Sequence, residues 1–151
     1  MGRAIGGAIV GYITAVILVF AGLSLAWTVF GPSGSFEPAA WDTSMKWNLT
    51  NVVVGIIAGI AGGFVCVLIG RGGRSLAILI GIIIVLGALS AVAGMMKPEP
   101  TEARPETVTM FEAMGNARAP LWTLLANPVV GVIGSVIGSK LRGRPASKDS
   151  P

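Results

Sequence analysis

The chain has 151 residues, of which 53% are hydrophobic and only 12% charged, about half the charged share of an ordinary soluble protein. It has no histidine and one cysteine, Cys66. That removes the commonest general base, the commonest metal ligand and any internal disulfide, so no cofactor or metal is expected. The net charge of +4 is spread between apolar blocks, which points to a membrane and not to nucleic acid.

Four apolar blocks follow one another, at about 4–30, 49–70, 75–96 and 121–141, and none carries an acidic or basic residue in its interior. A helix needs about 20 apolar residues to cross the hydrocarbon core of a bilayer. The expected fold is therefore all-α, a polytopic membrane protein with four transmembrane helices over 1–142. Arg3, the apolar stretch after it and Ser24-Leu25-Ala26 also resemble a signal peptide with its cleavage site. The block outruns a usual signal core and stays apolar through Phe30, which favours an uncleaved first span.

The connections differ in character. The stretch 31–48 holds Gly, Pro, Ser and Trp with a few charges and reads as a polar loop. Arg71-Gly72-Gly73-Arg74 reads as a tight turn, which makes the second and third spans an antiparallel hairpin. The stretch 97–120 is the longest loop, and Pro98, Pro100 and Pro105 should keep its first part extended. A short helix lying at the membrane surface is expected over 107–117. The tail 143–151 is rich in Ser, Pro, Lys and Asp and reads as disordered and cytoplasmic.

Basic residues set the expected orientation. Arg3, Arg71, Arg74, Lys140, Arg142, Arg144 and Lys148 fall on one side, against Lys46, Lys97, Arg104 and Arg118 on the other. Six of the seven acidic residues share the second side; only Asp149 joins the first. The two sides then carry about +6 and −2, and the excess of Lys and Arg places both termini in the cytoplasm of a cell membrane. All four tryptophans, Trp27, Trp41, Trp47 and Trp122, fall near the opposite interface, where amphipathic rings are common.

The second and fourth blocks resemble each other. Asn51-Val52-Val53-Val54-Gly55 aligns with Asn127-Pro128-Val129-Val130-Gly131, and small residues follow in both. Gly2-Arg3-Ala4-Ile5 against Gly73-Arg74-Ser75-Leu76 is a weaker match. The pattern suggests a duplicated pair of helices, two antiparallel hairpins inserted in the same orientation. Frequent Val, Gly and Ile in membrane helices are the competing explanation.

Small residues recur at four-residue spacing. Gly55, Gly59 and Gly63 share one face of the second span, Gly131, Ser135 and Ser139 one face of the fourth, and Gly7 and Gly11 one face of the first. Such faces let helix backbones approach closely in lipid. They serve packing inside the bundle or pairing with another copy or a membrane partner. Asn51 and Asn127 are the other candidates, since an amide in hydrocarbon is costly without a partner. They are expected to bond each other or backbone freed by Pro128, and Pro128 is expected to cap or kink its helix. Tyr12, Thr14, Ser24 and Ser90 need no functional role if their hydroxyls bond back to their own helices.

Intramembrane charge, the usual mark of an ion or proton path, is absent. Glu99, Glu102 and Glu106 read as a solvated acidic loop, and Cys66 as a packing residue. The chain is therefore not expected to be an enzyme. The leading expectation is a small accessory or scaffold protein that associates through its glycine-rich faces, with the bilayer and a membrane protein or second copy as partners. The alternative is an oligomeric channel or transporter for an uncharged small solute.

Overall fold

A computed structural model describes residues 1–141, so the expected tail at 143–151 lies outside the described residues. Five helices follow in order: α1 (Gly2–Ser35), α2 (Met45–Gly70), α3 (Gly73–Met95), α4 (Met110–Asn116) and α5 (Leu121–Leu141). Four of them, all but α4, are long and apolar enough to span a membrane. There is no strand among the described residues, only two isolated bridges in the connections.

The interior and exterior are inverted relative to a water-soluble bundle. Apart from Leu79, the fully buried side chains are small, such as Ala8, Ala58, Cys66 and Ser135, while Leu25, Val29, Ile57 and Leu89 are exposed. Large aliphatic side chains on the outside and small ones at the helix contacts suit a lipid surround, where close backbone approach replaces the hydrophobic drive to bury Leu and Ile.

The small residues set which helices touch. A Cβ on Gly7 would lie 2.6 Å from the Gly70 nitrogen, and one on Gly11 would lie 2.6 Å from the Gly62 oxygen. Further along, Gly22 faces Val54. Residue numbers rise on α1 as they fall on α2, so these helices run antiparallel. Against α5, Gly55 meets Val130, Gly59 meets Gly131 and Gly134, and Gly63 meets Ser135. Numbers rise together, so α2 and α5 run parallel. The third contact is antiparallel: Ile83 on α3 meets Gly131 on α5, Gly87 meets Pro128 and Gly94 meets Leu124.

The expected pairing of α2 with α3 therefore differs from what the turn alone implies. Arg71 ends α2 in the left-handed region (φ 55°, ψ 38°), and Gly72 leads straight into α3. Yet α2 packs mainly on α1 and α5, and α3 mainly on α5 and α1, with slight contact between α2 and α3. A short turn fixes where two helices begin; the small-residue faces decide where they lie. In α2 those faces point to α1 and α5.

The stretch 31–48 is less loop-like than its composition implies. Gly31 breaks α1 (φ 61°, ψ −173°), and Pro32 starts one more helical turn that ends at Ser35. Proline suits the first helical position because its fixed φ is already helical. Ser44 then caps α2, its hydroxyl accepting from the Trp47 N–H, so α2 begins several residues before the apolar run. The end of the bundle that carries these connections is called here the loop end, and the end with the N-terminus and the Arg71–Gly72 turn the turn end.

Candidate functional site

The turn end is tightly closed. Ala8, Cys66 and Leu79, each at most 1% exposed, form its core, and Tyr12, Ile78, Ile82 and Ile83 pack around them. This cluster also brings α1 against α3. On the other diagonal, Gly63 and Gly138 sit so close to the Ser135 and Ile60 backbones that no side chain fits between them.

Toward the loop end the four spans part around a cavity of about 550 Å³, within the size range of small-molecule sites. Its floor is Tyr12, Gly59, Ile83 and Gly131, the level where the glycine contacts begin. Val16 and Phe20 on α1 and Leu86 and Ser90 on α3 line its sides, and Trp27, Phe36 and Trp47 lie toward the loop end. Met110, Ala113 and Met114 of α4 complete the lining. Among the described residues, no charged one lines it.

The sequence candidates divide between these two regions. Gly63 and Ser135 belong to the closed contact of α2 and α5, and Ser135 is 1% exposed. Gly55, Gly59 and Gly131 join that contact and also face the cavity. Asn51 and Asn127 both line the cavity. The expected bond between them does not form, and neither amide has a hydrogen-bond partner among the described residues. Both lie on the loop-end side of the direct contact between α2 and α5. Pro128 sits within α5 and supplies no N–H to the carbonyl of Leu124, and Leu124 lines the cavity too.

Hydroxyl groups show the same division. Thr14 donates to Val10 O at 2.8 Å, Thr28 to Leu25 O at 2.7 Å and Ser139 to Val136 O at 2.7 Å, as hydroxyls in helices ordinarily do. Ser24 reaches the Met110 sulfur at 3.7 Å. The hydroxyls of Tyr12 and Ser90 bond to nothing among the described residues. Both line the cavity wall; the buried hydroxyls of Ser35 and Thr123, away from it, have no partner among the described residues either. Sequence reasoning passed over Tyr12 and Ser90 because back-bonding is the ordinary outcome; no signal in the chain separates Ser90 from Ser139.

The cavity's lid is built from local chemistry. Thr109 caps α4, and Glu112 returns its carboxylate to the Thr109 N–H and hydroxyl, both at 2.8 Å. These bonds hold the Glu112 carboxyl below its ordinary pKa, chiefly through the Thr109 backbone N–H. At the other end of α4, the Lys97 ammonium donates to the carbonyls of Gly115 (2.9 Å) and Ala117 (3.1 Å), with Met114 O at 3.4 Å. Charge of this sign suits a helix C-terminus. The helix is thus held at Lys97, just past α3, and at Ser24 on α1.

The remaining loop chemistry is structural. Thr43 N–H donates to Arg118 O at 2.9 Å, and Arg104 Nε to Ala40 O at 3.0 Å, tying the α1–α2 connection to the α3–α5 connection. Asn48, in the sequon Asn48-Leu49-Thr50, is 2% exposed and its amide is engaged with Thr43 at 2.9 and 3.1 Å. Of the loop carboxylates, Glu99 pairs with Arg118 at 3.3 Å and is otherwise open to solvent. No group of His, Cys, Asp or Glu able to hold a metal occurs among the described residues. Comparison of the chain with protein-family models, with curated proteins and with solved structures finds no match.

Proposed function

We propose that the chain is a membrane-embedded carrier for an uncharged small molecule, with the cavity between its four spans as the binding site. The observation that carries this is the cavity itself: about 550 Å³, free of charged lining, with Tyr12, Asn51, Ser90 and Asn127 facing it unbonded. Polar groups inside a bilayer cost free energy unless they find partners. A bound neutral molecule supplies them. A charged one would be left without a counter-charge in low dielectric.

The reading as a scaffold that associates through glycine faces has less support. Gly7, Gly11, Gly59 and Gly63 are occupied by other helices of the same chain, which leaves those faces with no room for a partner. We also propose, from the basic residues, that the turn end with its Arg3, Arg71, Arg74 and Lys140 faces the cytoplasm, so that the cavity lies on the opposite side of the bilayer.

The test is reconstitution of the purified chain into vesicles, followed by equilibration of uncharged solutes from glycerol to long-chain alcohols. Faster equilibration than in empty vesicles is expected for at least one of them. It should be lost in Ser90→Trp, which places a large ring at the exposed wall of the cavity. No acceleration for any member of the series would overturn the carrier reading.

A further inference from the structure

We infer that the molecule the cavity takes is a single-chain neutral amphiphile drawn sideways from the bilayer, its hydroxyl, carbonyl or amide head group seated at Asn51 and Asn127. This rests on the carrier reading and specifies its ligand. The first argument is how the lining is divided. Its polar groups are few and neutral: Tyr12 and Asn51 are half-buried, and Ser90 and Asn127 are open to the surroundings of the bundle. The rest is aliphatic and aromatic, with Val16, Leu23 and Leu86 among them. A wholly polar solute would leave this apolar wall unmatched, and a wholly apolar one would leave both amides unsatisfied.

The second argument is the way in. α1 and α3 touch at the turn end through Ala8, Tyr12 and Leu79. At the loop end α4 bridges them, from Ser24 on α1 to Lys97 beyond α3. Between these two closures, Val16, Phe20 and Leu86 line the cavity and are still 47%, 49% and 40% exposed. The gap they border lies on the side of the bundle, at the level of the spans, where the surroundings are acyl chains and not water. Over the loop end, Trp27, Phe36 and Trp47 stack edge to face, at 6.2 Å for Trp27 with Phe36 and 6.1 Å for Trp27 with Trp47. That stack and α4 obstruct the aqueous route.

The third argument is the pair of amides. An amide offers both a donor and an acceptor, so two of them match a hydroxyl or a carbonyl without any charge.

The experiment uses the full chain in nanodiscs and a long-chain alcohol bearing a diazirine, with the matching carboxylic acid at pH 8 as the charged counterpart. After photolysis, labelled peptides are mapped by mass spectrometry. The alcohol is expected to label cavity segments around Phe20, Leu86 and Met114, and the ionised acid to label them far less. In Asn51→Leu and Asn127→Leu, which keep side-chain size, labelling at those segments should fall about tenfold, the effect of losing one hydrogen bond. Thermal unfolding of each variant shows whether the bundle is intact, and Val53→Leu on the exposed face serves as the unaffected control. Labelling confined to outward faces, unchanged by either Asn substitution in folded protein, would overturn the amphiphile. Glycerol flux in the vesicle experiment would then leave the carrier reading standing with a water-borne solute, whereas failure of both experiments would remove both.

Discussion

At single positions, the contrast between glycines with and without room is the sharpest consequence of this packing. A Cβ at Gly63 would overlap the Ser135 backbone, and backbone cannot swing aside as a flexible side chain does. Gly81 lies in a similar apolar run but has open space around its would-be Cβ. Gly63→Ala should therefore destabilise the bundle by about 1–3 kcal/mol, the usual range for overpacking. Gly81→Ala should be neutral or slightly stabilising, since alanine is the better helix former. Reversible unfolding in mixed micelles measures both; equal effects would show that α2 and α5 do not meet through this face. The four-residue spacing of Gly55, Gly59 and Gly63 was legible in the chain. Which partner each glycine meets was not, because spacing defines a face and says nothing about what covers it.

Among the elements, α4 is the one whose stability depends on a few nameable bonds. It is seven residues long, too short to persist on propensity alone. Lys97→Met removes the donor to its last carbonyls while keeping much of the apolar stem. The amides of α4 should then exchange with solvent at least about tenfold faster, as expected for the loss of charge-assisted hydrogen bonds, while those of α2 stay protected. Hydrogen exchange by mass spectrometry reads this, and unchanged protection in α4 would show that Lys97 does not hold it. The other end responds to pH. Because the Glu112 carboxyl is held below its ordinary value by the Thr109 bonds, its contribution is fully present at neutral pH. It is lost as pH falls through that lowered value. Fraying at Thr109–Glu112 should thus appear only in acid, as pH falls below the ordinary carboxylate range, and Glu112→Gln should remove the pH step. The short helix expected over 107–117 forms as Met110–Asn116, its start fixed by the capping box of Thr109 and Glu112. The extra helical turn at Pro32–Ser35 is not legible in the chain, since Gly31 and Pro32 read equally well as loop.

For the whole molecule, the four spans were readable because each is a continuous apolar run, and lipid imposes no alternation that would blur them. The cavity was only half readable. Asn51 and Asn127 stood out by chemistry, but Tyr12 and Ser90 join them only because four helices part at one level, which no periodicity along the chain records. Orientation is the remaining whole-molecule property, and the one proposed rests on charge. Lys and Arg near short loops resist translocation. Arg3, Arg71 and Arg74 gather at the turn end, while the loop end has Glu37, Asp42, Glu99, Glu102, Glu106 and Glu112 beside its four basic residues. Reporter fusions after residues 40 and 108 should report outside, and fusions after residue 72 and at the C-terminus inside. Because the bias rests on few residues at the Arg71–Gly72 turn, Arg71→Glu with Arg74→Glu should yield a mixed population at residue 72 while the unaltered chain yields one. An outside C-terminus in the unaltered chain would reverse the assignment and place the cavity on the cytoplasmic side, where the amphiphile would have to enter from the inner leaflet.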